Sequence, residues 1–142
     1  MKLVVISGYF NPLHCGHLDY IEAAAELGDY LIVIVNNDEQ VKIKGSVPFM
    51  NAEDRTRIVE SLSAVDAAVV SLDKDGTVVE SLQMIVESAG DETDVVIFAN
   101  GGDRVAGNTP EEVYCAKNDV ETAYNVGGGK TQSSSELLSD VQ

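Results

Sequence analysis

Positive charge is scarce in this sequence: nine Lys and Arg stand against 24 Asp and Glu, a formal net charge of −15. Such a deficit argues against a basic face for DNA or RNA. It also means that the average surface repels phosphate, so a phosphate site must gather the few cations there are. Acidity of this degree fits a salty habitat or a demand for solubility. Cysteine is rare too. Cys15 and Cys115 are far apart and form no CxxC pair, which points to two reduced thiols rather than a disulfide framework. Long apolar runs are missing. The longest, Tyr30 to Val35, is far too short to cross a bilayer. The stretch Met1 to Ile6 is too short for the apolar region of a signal peptide and reads better as a first strand, so a cytoplasmic protein is expected.

What is present is alternation. The 142 residues fit one domain, 1–142, with no linker or internal repeat. Short β-branched runs at 2–7, 30–36, 67–71, 94–99 and 119–124 read as strands. Helical periodicity falls at 16–27 (Leu18, Ile21, Ala25 and Leu27 inward) and at 52–63 (Ile58, Val59 and Leu62 inward). Further helices are expected at 78–89, capped by Thr77, at 110–117 behind Pro110, and at 133–141. Residues 37–51 read as a polar loop. Buried strands separated by helices predict an α/β fold: an open parallel five-stranded sheet with helices on both faces. Right-handed crossovers then place every strand-to-helix loop along one edge, where ligands bind outside the carboxyl ends of the strands. Loops 8–15, 37–51, 100–109 and 125–132 should converge there, and Lys42, Lys44, Arg55, Arg57, Arg104 and Lys130, six of the nine cations, lie in or beside them.

The first of these loops, Gly8-Tyr9-Phe10-Asn11-Pro12-Leu13-His14-Cys15-Gly16-His17, holds both histidines of the chain. Their spacing of three at a helix entry puts them on one face. Gly8 lets the backbone approach a ligand, and Gly16 lets phosphate oxygens come near the outward-pointing N–H groups of the helix start. Two imidazoles there can donate hydrogen bonds to charge developing on a phosphoryl group. Tyr9 and Phe10 line the site, or Phe10 fills core beneath the loop.

The segment His14-Cys15-Gly16-His17 resembles the HxGH signature of the cytidylyltransferase-like nucleotidyltransferases, a Rossmann-like family that includes glycerol-3-phosphate cytidylyltransferases and heptose-phosphate adenylyltransferases. Leu27-Gly28-Asp29 before a buried strand, Lys44-Gly45, Arg55, Asn100-Gly101-Gly102-Asp103 and Ser133-Ser134-Ser135 resemble further family motifs in order and spacing. The resemblance implies transfer of CMP or AMP from a nucleoside triphosphate to a small phosphorylated substrate, a sugar or polyol phosphate, with release of pyrophosphate. It implies that His14, His17 and Lys44 act on the triphosphate. Arg55 would neutralise phosphate or orient the loop. Asp103 and Arg104 are a ligand-contacting pair or a solvated one. Ser133 to Ser135 at the last helix start would hold β- or γ-phosphate. Mg²⁺ would arrive with the nucleotide, and a homodimer is implied as well.

Two departures from the family pattern bear on the nucleotide. Asn11 stands where the cytidylyl branch usually has Asp, and Gly127 to Gly129 stand where it carries an arginine, leaving Lys130 to supply the charge. Lys lacks the two-pronged contact of Arg. Rival readings are weaker. Zinc on the histidine pair lacks an evident third ligand. Gly129-Lys130-Thr131 mimics a Walker A ending, but Tyr124 occupies the required glycine. A nucleotide sensor of the same fold, without turnover, is the alternative outside enzymology.

Overall fold

A computed structural model of the protein describes residues 1–101 and 109–127. The elements in chain order are β1 (Lys2–Gly8), α1 (Cys15–Ala25), β2 (Tyr30–Val35), α2 (Asp38–Ile43), α3 (Ala52–Glu60), β3 (Ala67–Val70), α4 (Val79–Ser88), β4 (Val95–Gly101), α5 (Pro110–Lys117) and β5 (Glu121–Val126). The five strands form one sheet in the order β3-β2-β1-β4-β5, and every pairing is parallel. This is the expected Rossmann-like α/β sheet. The strand order reverses direction at β1, so the crevice between the β1 and β4 ends is the switch point at which such sheets bind ligands.

Side chains alternate across the strands and build two cores. Val4, Ile6, Leu31, Val33 and Val35 face one way, against Ile21 and Ala24 of α1 and Val59 of α3. Leu3, Val5, Ile34, Val96 and Phe98 face the other way, against Leu82 and Ile85 of α4 and Cys115 of α5. Burial on both faces is why β1 and β2 read as continuous apolar runs rather than alternating ones.

Several local expectations are corrected. In α1 the inward pair is Ile21 and Ala24, and Leu27 is exposed beyond the helix end; in α3 Val59 is buried while Ile58 is exposed. Thr77 does not cap α4. The Asp73 carboxylate accepts from the backbone N–H groups of Glu80 and Ser81, at 2.8 and 3.0 Å, and from the Ser81 hydroxyl, while Thr77 closes a local turn with Asp75. Strand β5 starts at Glu121 because Asp119, with φ of 56°, turns the chain first.

The largest difference is α2, which lies inside the stretch read as a loop. Asn37 caps it with its side chain on the Gln40 N–H, and Gln40 reaches back to the Asn37 N–H, a reciprocal capping box. The helix ends in a Schellman motif: Gly45 N–H donates to Lys42 O and Ser46 N–H to Val41 O. That ending needs the left-handed φ of 88° at Gly45, around which a Cβ would meet nothing within 4 Å. Gly45→Ala is therefore a purely conformational test. It is expected to lower unfolding free energy by about 1 kcal/mol in urea titrations.

Candidate active site

The site is built on the turn from β1 into α1. His14 is the N-cap of α1, and its Nδ1 accepts from the Gly16 N–H at 3.1 Å. His17 Nδ1 accepts from the His14 N–H at 3.2 Å, so the two histidines make a reciprocal box of their own. An Nδ1 that accepts from an amide carries no proton. In each neutral ring the proton must sit on Nε2, leaving an N–H donor on the outer edge. The rings stack with centroids 3.8 Å apart and planes 23° apart. Phe10 packs edge-on against His17 at 5.0 Å. The loop sequence thus performs two tasks with the same atoms: it caps a helix and fixes two donors side by side.

His17 stays neutral over the whole physiological range. Its pKa is pulled down to about 4, first by burial, then by the charges of His14 and Lys44. A depressed folded-state pKa means that stability from the neutral ring is present above about pH 6.5 and is lost as pH falls toward 4. In an NMR titration the His17 ring resonances should stay unshifted from pH 8 to pH 5.5 and move with a midpoint near 4. His14 Nε2 is shielded from solvent, so a ligand oxygen reaches it only once a neighbouring side chain moves.

Lys44 follows the last residue of α2, and its Nζ lies 4.3 Å from the centre of the Tyr9 ring. That cation–π contact parks an ammonium beside the histidine loop. Tyr9 remains a neutral phenol because burial, and then the charge of Glu111 on α5, raise its pKa. Lys42 is exposed and paired at 3.4 Å with Glu39, and Arg57 is exposed on α3.

Arg55 is placed differently from the other cations. It is the largest fully buried side chain, 1% exposed. Its Nη1 donates to Tyr9 O at 2.7 Å and Asn36 O at 2.8 Å, its Nε to Met50 O at 3.1 Å, and its Nη2 to Asp38 at 2.8 Å. Four acceptors on four segments use the guanidinium. The geometry supports the loop-orienting alternative for Arg55 over a phosphate contact. Asn11, 5% exposed, clamps a neighbouring segment: its Nδ2 donates to Val47 O at 2.9 Å and its Oδ1 accepts from Phe49 N–H at 2.8 Å.

Other residues of the sequence reading fall as follows. Phe10 is 2% exposed, and its ring fills the room that Gly8 leaves: a Cβ on Gly8 would come within 2.7 Å of it. Phe10 is thus core beneath the loop and a wall for His17. The Gly16 N–H is taken by His14. Gly102, Asp103, Arg104, Lys130, Ser133, Ser134 and Ser135 lie outside the described residues. Among the described residues no group of three or more His, Cys, Asp or Glu is arranged to hold a metal ion, and no helix is long and apolar enough to cross a membrane.

Sequence reasoning missed Asp38 and Gln40. Gln40 is 0% exposed and donates to Asp75 O and Thr77 O, at 2.8 and 2.7 Å, while accepting from the Asn36 and Asn37 nitrogens at 3.0 Å and from Ser71. It ties α2, and so Lys44, to the chain beyond β3. The signal was the Asn-x-x-Gln spacing of a capping box at 37–40.

Comparison with known proteins agrees with this site. An FAD synthase of Ferroglobus placidus is 45% identical over 75 residues, which cover 53% of this chain and 49% of that protein. The bifunctional protein HldE of Haemophilus influenzae is 48% identical over 67 residues, 46% of this chain and 14% of that one. The matched region thus spans about half, or less, of the length of these relatives. Among solved structures, a lipopolysaccharide core biosynthesis protein of Thermoplasma volcanium superposes with a TM-score of 0.68 at 24% identity, covering 88% of this chain and 96% of that one. A bifunctional NMN adenylyltransferase/ADP ribose pyrophosphatase of Francisella tularensis superposes at 0.59 with 16% identity over 87% of this chain and 36% of its own. These two likenesses speak for the fold. The family model for cytidylyltransferase-like proteins matches residues 5–126, nearly everything from β1 to the end of β5, and on that match the chain belongs to the cytidylyltransferase-like family.

Proposed function

We propose that this protein transfers AMP from ATP to a small phosphorylated acceptor and releases pyrophosphate. The observation that carries the reading is the histidine pair, two neutral, stacked rings whose Nδ1 atoms are both engaged by backbone N–H groups. Their Nε2–H groups are then donors of fixed direction, suited to the oxygens of a triphosphate. In the reaction an acceptor phosphate oxygen attacks the α-phosphorus in line. The bond from α-phosphorus to the α,β-bridging oxygen breaks, and pyrophosphate leaves with the electron pair. His14 and His17 would donate to the charge that builds on the phosphoryl oxygens, with Lys44 adding its ammonium. Such chemistry rests on positioning and electrostatics.

The donors near the loop are N–H groups, which suit phosphate oxygens and not a cation. Mg²⁺ would therefore ride on the triphosphate and neutralise the leaving pyrophosphate. Gly102, Asp103, Arg104, Lys130 and Ser133 to Ser135 are proposed as further nucleotide contacts on the family resemblance. ATP is preferred over CTP because Asn11 replaces the aspartate of the cytidylyl branch and because FAD synthases are among the relatives. Acceptor candidates are sugar phosphates, glycerol 3-phosphate and FMN, whose phosphate sits on a ribityl chain. The test is pyrophosphate release with ATP or CTP, Mg²⁺ and this panel. Release with ATP and one acceptor is the expected result. Nucleotide binding without release across the panel would instead indicate the sensor.

A further inference from the structure

We propose that the segment from Ile43 to Phe49 is the seat for the body of the acceptor, and that the acceptor carries a flat, apolar ring system. The inference rests on the transferase reading above and names a subsite within it. The three most exposed large apolar side chains among the described residues are Val47 at 76%, Phe49 at 59% and Ile43 at 57%. They fall within seven consecutive positions of a chain that otherwise buries its large apolar residues well.

This exposure does not come from a loose loop. The Schellman turn holds the chain at Gly45 and Ser46, Asn11 clamps Val47 O and Phe49 N–H, and Arg55 holds Met50 O. The backbone is pinned at five successive sites while two large side chains stand in water. Grouped apolar exposure on a fixed frame marks a binding surface. Its position names the ligand. Asn11 belongs to the same loop as His14 and His17, and Lys44 sits between Ile43 and Val47 with its Nζ against Tyr9. A ligand with a phosphate at Lys44 can lay an adjoining apolar body on Val47 and Phe49. A phenyl ring at the rim favours a planar partner, since offset stacking adds to area burial. The loop also continues from β2, on the opposite side of the switch point from β4 and β5. Two ligands that meet at one phosphorus can approach from these two sides.

FMN, with both phosphate and ring, is the probe. Titration followed by flavin fluorescence should show saturable binding to the wild type and about tenfold or weaker binding to Phe49→Ser and Val47→Ser. In steady-state assays the KM for FMN should rise by a similar factor while the KM for ATP moves less than twofold. Equal FMN affinity in wild type and variants overturns the seat, as does a wild type that binds no FMN. Light scattering covers the rival occupant: a dimer that falls to monomer in Phe49→Ser, with FMN affinity unchanged, assigns the patch to a second copy of the chain. The two readings fail separately. Normal turnover with unaltered FMN affinity removes the seat and leaves the transferase. A wild type that turns over no acceptor removes the transferase, while the fluorescence titration still decides the seat.

Discussion

His17→Ala is expected to lower kcat about 10²–10³-fold, the usual effect of deleting one preorganised donor to a charged transition state. The fold should survive, because the ring contributes one face of a partly buried stack and one cap bond. His14 needs two substitutions to separate its tasks. His14→Ala removes both the Nε2–H donor and the N-cap, so turnover falls and stability drops by about 1 kcal/mol. His14→Asn replaces Nδ1 with a side-chain oxygen that can still accept the Gly16 N–H, and Asn is among the best N-cap residues. That variant should recover most of the stability and none of the lost turnover. Measured kcat beside urea midpoints decides the matter. If both single alanine variants kept wild-type turnover, the histidines would have no place in the chemistry.

Arg55→Met is expected to be the most destabilising single change in the site region, by about 3 kcal/mol or more. The loss comes from what it leaves behind. Tyr9 O, Asn36 O and Met50 O lose a donor, and Asp38 loses its counter-ion. Arg55→Lys restores charge but not the fork, so it should recover only part of the loss. A set of contacts this broad also predicts a functional effect at a distance. Tyr9, whose carbonyl Arg55 holds, is the ring that Lys44 lies over, and Lys44 helps to depress His17. In Arg55→Lys, if folded, the His17 NMR titration midpoint should rise from about 4 toward the ordinary imidazole value. Lost stability with an unmoved midpoint would make Arg55 a fold residue with no part in positioning the site. Against a typical total of 5–15 kcal/mol, the methionine variant is expected to be marginally folded, so the lysine variant carries the positioning test.

Legibility from sequence differed by element for identifiable reasons. Strands β1 and β2 were readable because parallel strands buried on both faces need unbroken β-branched runs. The helix entry at His14 was readable because glycines and histidines at that spacing have few other uses. Helix α2 was hidden by its six residues, too short for apolar periodicity to register, and by a polar composition that mimics a loop. The cap of α4 was misassigned because Asp73 reaches it from outside the helix, across a turn that local pattern cannot close.

The amino-acid sequence alone determined the order of strands and helices, the edge at which the loops meet and the histidine motif, since each follows from periodicity, chain chirality and local spacing. Only the tertiary structure decided what the polar side chains do. Arg55 and Lys44 are both cations beside the same loop, yet one is spent on carbonyls in the core and the other keeps its charge at the rim. That division depends on which acceptors four separate segments bring together, and no single stretch of sequence contains them.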